Sequence, residues 1–151
     1  MKGVGQRHDA AAPDKERKMI RTGDIYMVDF AEIGQTERGY RPAIIVSNNV
    51  GNTFSRDIIV VPITSREKNM RQPTHVLLDA KENGLAKDST ALCENPTVIP
   101  KTALRQYRSH LCEKSMRAVA IAQIAATATL AYLDEEGLET AVKLSMRLLS
   151  A

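Results

Sequence analysis

The stretch Pro42-Ala43-Ile44-Ile45-Val46-Ser47, followed after a short break by Ile58-Ile59-Val60-Val61-Pro62-Ile63-Thr64, decides the fold. Both runs are β-branched and apolar, and between them lies Asn48-Asn49-Val50-Gly51-Asn52, which reads as turn chemistry. Pro42 opens the first run, where a missing N–H donor is tolerated. The second run is nearly all apolar, as expected of a strand buried on both faces.

Working outward, the same pattern recurs. Ile25-Tyr26-Met27-Val28-Asp29-Phe30 follows the turn pair Gly23-Asp24 and reads as an earlier strand. A loop from Ala31 to Tyr40 carries Gly34 and Gly39 as breakers. Ser65 to Pro73 reads as a polar loop with Arg66, Lys68 and Arg71. His75-Val76-Leu77-Leu78 and Thr90-Ala91-Leu92-Cys93 read as short strands around the turn-rich Glu82-Asn83-Gly84, and Val98-Ile99 as a further extended piece. Past residue 112 the period becomes helical. Met116, Val119, Ala120, Gln123, Ile124 and Thr127 mark one face of a helix over Glu113 to Leu130. That helix is apolar nearly all round, so it is expected to be buried in the domain or at a dimer interface. Asp134 reads as the N-cap of a second helix, with Leu138, Ala141, Val142, Leu148 and Leu149 on one face. Strands followed by helices argue for an α+β protein, a small mixed or antiparallel barrel-like sheet with helices packed on it.

Composition narrows the chemistry. The chain has 151 residues and a net charge of +3, which permits a polyanionic partner without requiring one. There is no Trp and few aromatics, so base stacking is not expected to be the main binding device for RNA. Cys93 and Cys112 fit neither a redox pair nor a zinc motif and read as reduced thiols. There is no GxxxxGK[ST], GxGxxG or HExxH, and no nucleophile elbow. His8, His75 and His110 are far apart, so no metal and no cofactor are expected; His75 reads as a satisfied strand histidine. No apolar run is long enough to span a membrane and no signal peptide is evident, so a soluble, cytoplasmic protein is expected.

Two positions stand out for chemistry. Arg41 opens one strand after a Gly-punctuated loop, and Thr64 closes the next before a basic loop. Adjacent strands bring such residues into one cleft, where a guanidinium and a hydroxyl suit a phosphate. Taken singly, an Arg at a strand start is more often a surface residue and a Thr at a strand end more often turn chemistry.

Read together, the segments resemble the MazF/PemK family of toxins. The matching pieces are Arg21-Thr22-Gly23-Asp24-Ile25-Tyr26, Gly39-Tyr40-Arg41-Pro42-Ala43-Ile44-Ile45-Val46 and Asn48-Asn49-Val50-Gly51-Asn52. Pro62-Ile63-Thr64-Ser65, Pro73-Thr74-His75-Val76 and Asp88-Ser89-Thr90-Ala91-Leu92-Cys93-Glu94 follow in the family's order and spacing. The resemblance implies a small SH3-like (CcdB/PemK-type) β-barrel with C-terminal helices, usually a homodimer. It implies an mRNA interferase, a metal-independent endoribonuclease cutting single-stranded RNA through 2′-hydroxyl attack, with 2′,3′-cyclic phosphate and 5′-hydroxyl ends. It implies a toxin neutralised by a cognate antitoxin with an acidic, partly disordered tail. Its catalytic arginine and threonine match Arg41 and Thr64. A role for that arginine in moving protons goes with the resemblance, although a guanidinium seldom releases its proton. Asn48, Gln72 and Asn95 look like RNA contacts, and Arg66 and Lys68 of the basic loop complete the RNA-binding set. For the three amides the competing reading is ordinary turn polarity.

The chain departs from the family in its first loop, where the usual Glu five residues before the arginine is Thr36, with Glu37 beside it. The expected division is 1–19 as a flexible N-terminal tail, 20–133 as the endoribonuclease domain and 134–151 as an additional helix packed on the domain or dimer. Competing functions are a gyrase poison of the CcdB kind, which shares the fold, and an inactive module that only binds antitoxin or RNA.

Overall fold

A computed structural model describes residues 19–36, 38–65 and 72–149; the N-terminal tail, Glu37, and Arg66 and Lys68 of the basic loop lie outside them. Seven antiparallel strands form the sheet: β1 (Asp24–Asp29), β2 (Tyr40–Ile45), β3 (Asp57–Thr64), β4 (His75–Leu78), β5 (Ser89–Leu92), β6 (Thr97–Pro100) and β7 (Leu104–His110). Their order is β4-β5-β3-β2-β1-β7, and β6 also pairs with β3. The long β3 therefore holds the sheet together: its first half pairs with β6, its end with β5, and its middle with β2.

The central strands are buried on both sides because alternate residues enter two separate cores. Ile25, Ile44, Val61 and Ile63 join Val76, Leu78 and the helical Val119 and Ala122 on one face. Tyr26, Val28, Ala43, Ile45, Ile58 and Val60 join Phe30 and Ile99 on the other. The expectation of double burial holds for Val60 to Thr64, while Asp57 and Ile59 at the outer end of β3 are exposed.

Among the described residues, four α-helices accompany the sheet: α1 (Asn49–Phe54), α2 (Ala80–Asn83), α3 (Glu113–Ala126) and α4 (Glu135–Arg147). Three features correct the sequence reading. The segment taken as a turn, Asn48 to Asn52, is an N-cap and the start of α1. Its Asn, Gly and Thr content is poor for a helix; Asn52 holds it in place through bonds to Ser47. The Glu82-Asn83-Gly84 turn is the end of α2, which stops at Gly84 with φ of 65°. A Cβ at Gly84 would stand 2.7 Å from the Cβ of Ser109, so close packing also requires glycine there. Finally, β7 carries no sequence signal in the reading above. It is an edge strand with mostly exposed residues, pairs with β1 through register shifts, and docks Tyr107 edge-on against Tyr26 at 5.4 Å.

The expected helix after residue 112 is α3, which ends at Ala126, before a short 3-10 turn over Thr129–Tyr132. Its inner face differs from the expected one: Ser115, Val119 and Ala122 are buried with Met116 beside them, whereas Ala120 and Ile124 are exposed. A helix apolar nearly all round offers no contrast from which its inner face can be read. Asp134 does cap α4, its carboxylate accepting the N–H of Gly137 at 2.8 Å.

Candidate active site

The groove that gathers the predicted pair is set by strand register. In the β2–β3 ladder Ala43 faces Pro62, so Arg41, just before the ladder in β2, and Thr64, just beyond it in β3, lie at the same end of the pair. On the far side of β3, Thr64 is paired with Thr90. Arg41 and Thr64 both line one groove of about 350 Å³. Pro42 sits in β2 facing Met27 of β1, and the β2–β3 pairs begin only at Ala43, so its missing N–H falls at the mouth of the ladder.

Arg41 is anchored before any ligand arrives. Its Nε donates to the Arg38 carbonyl at 2.5 Å, which fixes the guanidinium plane. The segment supplying that carbonyl is itself held. Arg38 donates to the Thr97 hydroxyl at 3.2 Å and lies 5.7 Å over the Phe30 ring. Phe30 N–H donates to the Gly39 carbonyl at 2.9 Å, closing the loop at its base. Thr64 is buried and lines the groove as the last residue of a strand whose inner half is packed on both faces. A group held this way needs little reorganisation when charge develops near it.

The rest of the wall adds two cations that sequence reasoning missed, Lys87 and Arg108. Lys87 follows α2 in the turn before β5, and Arg108 lies on the unforeseen edge strand β7. No carboxylate occurs among the groove's described lining residues, so Arg41, Lys87 and Arg108 make a wall of one sign. Such a wall favours a polyanion and raises its local concentration. The signal in sequence was the K/R content of the 87 and 105–108 segments, uninterpretable until both were known to face β2 and β3.

Three of the predicted contacts, Asn48, Gln72 and Asn95, stand apart from this groove. Asn48 caps α1, its side-chain oxygen accepting the Gly51 N–H at 2.8 Å. The Gln72 carbonyl accepts the N–H of His75, and the Asn95 carbonyl accepts the hydroxyl of Thr97. None of these three lines the groove.

Two histidines have structural partners. His110 Nδ1 lies 2.8 Å from buried Asp24. His75 Nε2 lies 3.0 Å from Glu94, yet its Nδ1 is buried with no hydrogen-bond partner among the described residues, so this histidine is only half satisfied. For Glu94 burial opposes ionisation, but its own backbone N–H and hydrogen bonds from His75 and Thr74 outweigh it and hold the carboxyl below its ordinary range. Both cysteines are free thiols. Burial, aided by neighbouring Glu94, pushes Cys93 up to about 11. Hydrogen bonds from the Ser115 hydroxyl and backbone N–H groups at the start of α3 lower Cys112.

Comparison with known proteins converges. Residues 21–125 match the family described as PemK-like, MazF-like toxin of type II toxin–antitoxin system. A relative named Endoribonuclease MazF, from Staphylococcus saprophyticus, is 35% identical over 102 residues, 67% of this chain and 85% of that protein. The Mycobacterium tuberculosis toxin MazF-mt6 is similar in structure, with a TM-score of 0.58 at 26% identity over 68% of this chain and 94% of that one. An endoribonuclease in complex with its cognate antitoxin, from Mycobacterial species, gives a TM-score of 0.59 at 23% identity over 76% and 98%.

Proposed function

The chain belongs to the PemK-like, MazF-like toxins of type II toxin–antitoxin systems, and on that premise we propose that its groove is the active site of a metal-independent endoribonuclease acting on single-stranded RNA. It is an mRNA interferase, the toxin of its pair. The observation that supports the site assignment is the one groove lined by both Arg41 and Thr64 together with Lys87 and Arg108.

In the reaction, the 2′-oxygen forms a bond to the adjacent phosphorus and the P–O5′ bond breaks. The 2′-hydroxyl loses a proton and the departing 5′-oxygen gains one, leaving a 2′,3′-cyclic phosphate and a 5′-hydroxyl. Negative charge grows on the non-bridging phosphoryl oxygens on the way. The Arg41 guanidinium and the Thr64 hydroxyl stabilise it, and anchoring of Arg41 by the Arg38 carbonyl means that the group is oriented beforehand. Lys87 and Arg108 hold phosphates on the flanks of the scissile one. The basic loop with Arg66 and Lys68, together with Asn48, Gln72 and Asn95, contacts RNA further from the cut. Amide side chains suit splayed bases, whose edges need paired donors and acceptors.

The partner is a cognate antitoxin, in keeping with the mycobacterial endoribonuclease solved in complex with one. A disordered acidic tail that folds along the basic groove would exclude RNA from it. The working unit is a homodimer of domain 20–133, with 1–19 as a tail and 134–151 as an added helix. No helix among the described residues is long and apolar enough to cross a membrane, and the toxin acts in the cytoplasm, where its mRNA substrate lies.

The test is to incubate the protein with a long single-stranded RNA in EDTA beside Arg41→Ala, and to map the ends. Discrete cuts with 5′-hydroxyl ends, lost in the variant, are expected. Absence of cleavage by folded, antitoxin-free protein across varied RNAs would overturn the enzyme reading.

A further inference from the structure

The loop between β1 and β2 is held in its two halves by two different arginine side chains. In the first half, Arg105 of β7 pairs with Glu32 and also donates to the Thr102 carbonyl at 2.7 Å. In the second half, the Arg38 side chain leaves the loop and reaches β6. One guanidinium nitrogen donates to the Thr97 hydroxyl at 3.2 Å, and the guanidinium carbon lies 5.7 Å from the centre of the buried Phe30 ring. The Thr97 hydroxyl is itself fixed, because it donates to the Asn95 carbonyl at 3.1 Å. A hydroxyl donates one hydrogen and accepts others, so Thr97 serves both partners at once. Its strand is no loose edge either: Thr97 is paired with Val60 of β3.

Arg38 thus has a firm mount, and what the mount holds is its own carbonyl, which accepts the Arg41 Nε–H at 2.5 Å. The residue between them is permissive. Gly39 has φ of 61°, in the left-handed region, and a Cβ there would meet nothing within 4 Å. Two backbone bonds close the loop on itself, Phe30 N–H to the Gly39 carbonyl at 2.9 Å and Arg38 N–H to the Gln35 carbonyl at 3.1 Å. The Arg38 side chain adds what these bonds do not, a tie from this half of the loop to β6. Arg38 is not among the groove's described lining residues, unlike Arg41, Lys87 and Arg108.

We propose that Arg38 is a positioning residue for the cleavage reaction: clamped by Thr97 and Phe30, it places the carbonyl that aims the Arg41 guanidinium into the groove. This rests on the ribonuclease reading of that groove. A guanidinium free to swing spends part of its time away from the scissile phosphate, and a displacement of about 1 Å at a reacting group costs up to about a hundredfold in rate. Substituting Arg38 keeps the carbonyl and removes only its placement.

Two measurements on the full chain test this, with circular dichroism as the check on folding. The first needs no RNA. In nitrogen-15-labelled protein the Arg41 Nε–H signal is identified by its loss in Arg41→Ala, and its exchange with water is followed. Exchange is expected to be slow in the parent and about tenfold faster in Arg38→Ala and in Thr97→Val. Equal exchange in the parent and both folded variants would overturn the proposal, whatever the protein does to RNA. The second is cleavage kinetics. Arg38→Ala is expected to lower kcat about tenfold with KM unchanged, and Thr97→Val to lower it about threefold. In an Arg41→Ala background, Arg38→Ala is expected to change the residual rate by less than about twofold, because a residue that acts through Arg41 has nothing left to act on. A full further loss in that background, or a loss confined to KM, would assign Arg38 to folding or to direct RNA contact and overturn the proposal. Failure of the ribonuclease reading gives a different result, no cleavage by the parent with the exchange pattern intact.

Discussion

The two ends of β2 hold polar clusters built on opposite plans. Beyond its C-terminal end, Ser47 Oγ donates to Asn52 Oδ1 at 2.6 Å and accepts the Ile59 N–H at 3.1 Å. Asn52 donates to the Ser47 carbonyl at 2.9 Å and to Asn49 Oδ1 at 3.1 Å. The Thr22 hydroxyl donates to the Ser47 carbonyl at 2.6 Å, and the Thr22 N–H to Asn49 Oδ1 at 2.8 Å. Donors and acceptors there close on one another around buried Ser47 and Asn52. At the N-terminal end, by contrast, Arg41, Lys87 and Arg108 share a groove with no carboxylate among its described lining residues. A closed cluster stabilises the fold. A groove whose described lining carries cations and no carboxylate attracts a polyanion. What separates the two ends is the charge of the side chains that tertiary structure gathers there.

The difference is sharpest in the effects of substitution. Arg41→Ala is expected to lower kcat about a hundred- to a thousandfold while leaving the melting temperature nearly unchanged, as single-turnover cleavage and a thermal melt would show. A large loss of stability with unchanged cleavage would reverse the roles assigned to the two ends. Asn52→Ala should do the opposite. It leaves the buried Ser47 hydroxyl without its acceptor and is expected to cost about 2 kcal/mol of stability. A urea titration checks this, with kcat of the folded fraction holding within about twofold.

Smaller effects refine the open end. Lys87→Ala combined with Arg108→Ala is expected to raise KM about tenfold at low salt and leave kcat close to the parent value. The slope of log KM against log salt should flatten by about 1 to 2. A pure kcat effect would instead move these cations onto the reacting phosphate. The smallest test concerns a third kind of polar group, raised by burial and by neighbouring Glu94. Cys93 is raised to about 11 in the fold, against an ordinary 9.0. The folded state thus keeps its proton where the unfolded chain releases it. Its contribution is fully present below pH 9 and is lost as pH rises toward 11. Urea titrations from pH 8 to 11 should show that decline, and Cys93→Ala should flatten it.

Legibility in the sequence followed the source of each element's stability. Strands β1 to β6 were readable because their apolar, β-branched runs meet a core directly. The α4 cap was readable because Asp134 acts within three residues of itself. Elements stabilised by distant partners were not. The α1 segment has turn composition and folds as a helix because Asn52 is held by Ser47 and Asn49. The β7 strand, Leu104–His110, has an edge strand's polar sequence and exists through backbone pairing to β1. The inner face of α3 was misjudged because apolar residues surround it, so that only the position of β4 and its Val76 and Leu78 selects Ser115, Val119 and Ala122.

The same division runs through the site. The sequence by itself determined the family and the α+β class, and it singled out Arg41 and Thr64 as candidates near strand ends, because strand ends and turn residues are local features. Only the tertiary structure decided that these two line one groove, that Lys87 and Arg108 join them, and that Asn48 is spent on capping α1. The physical reason is that hydrogen-bond closure and the sign of a groove are properties of residues far apart in the chain. They come into being only when strand register brings those residues together.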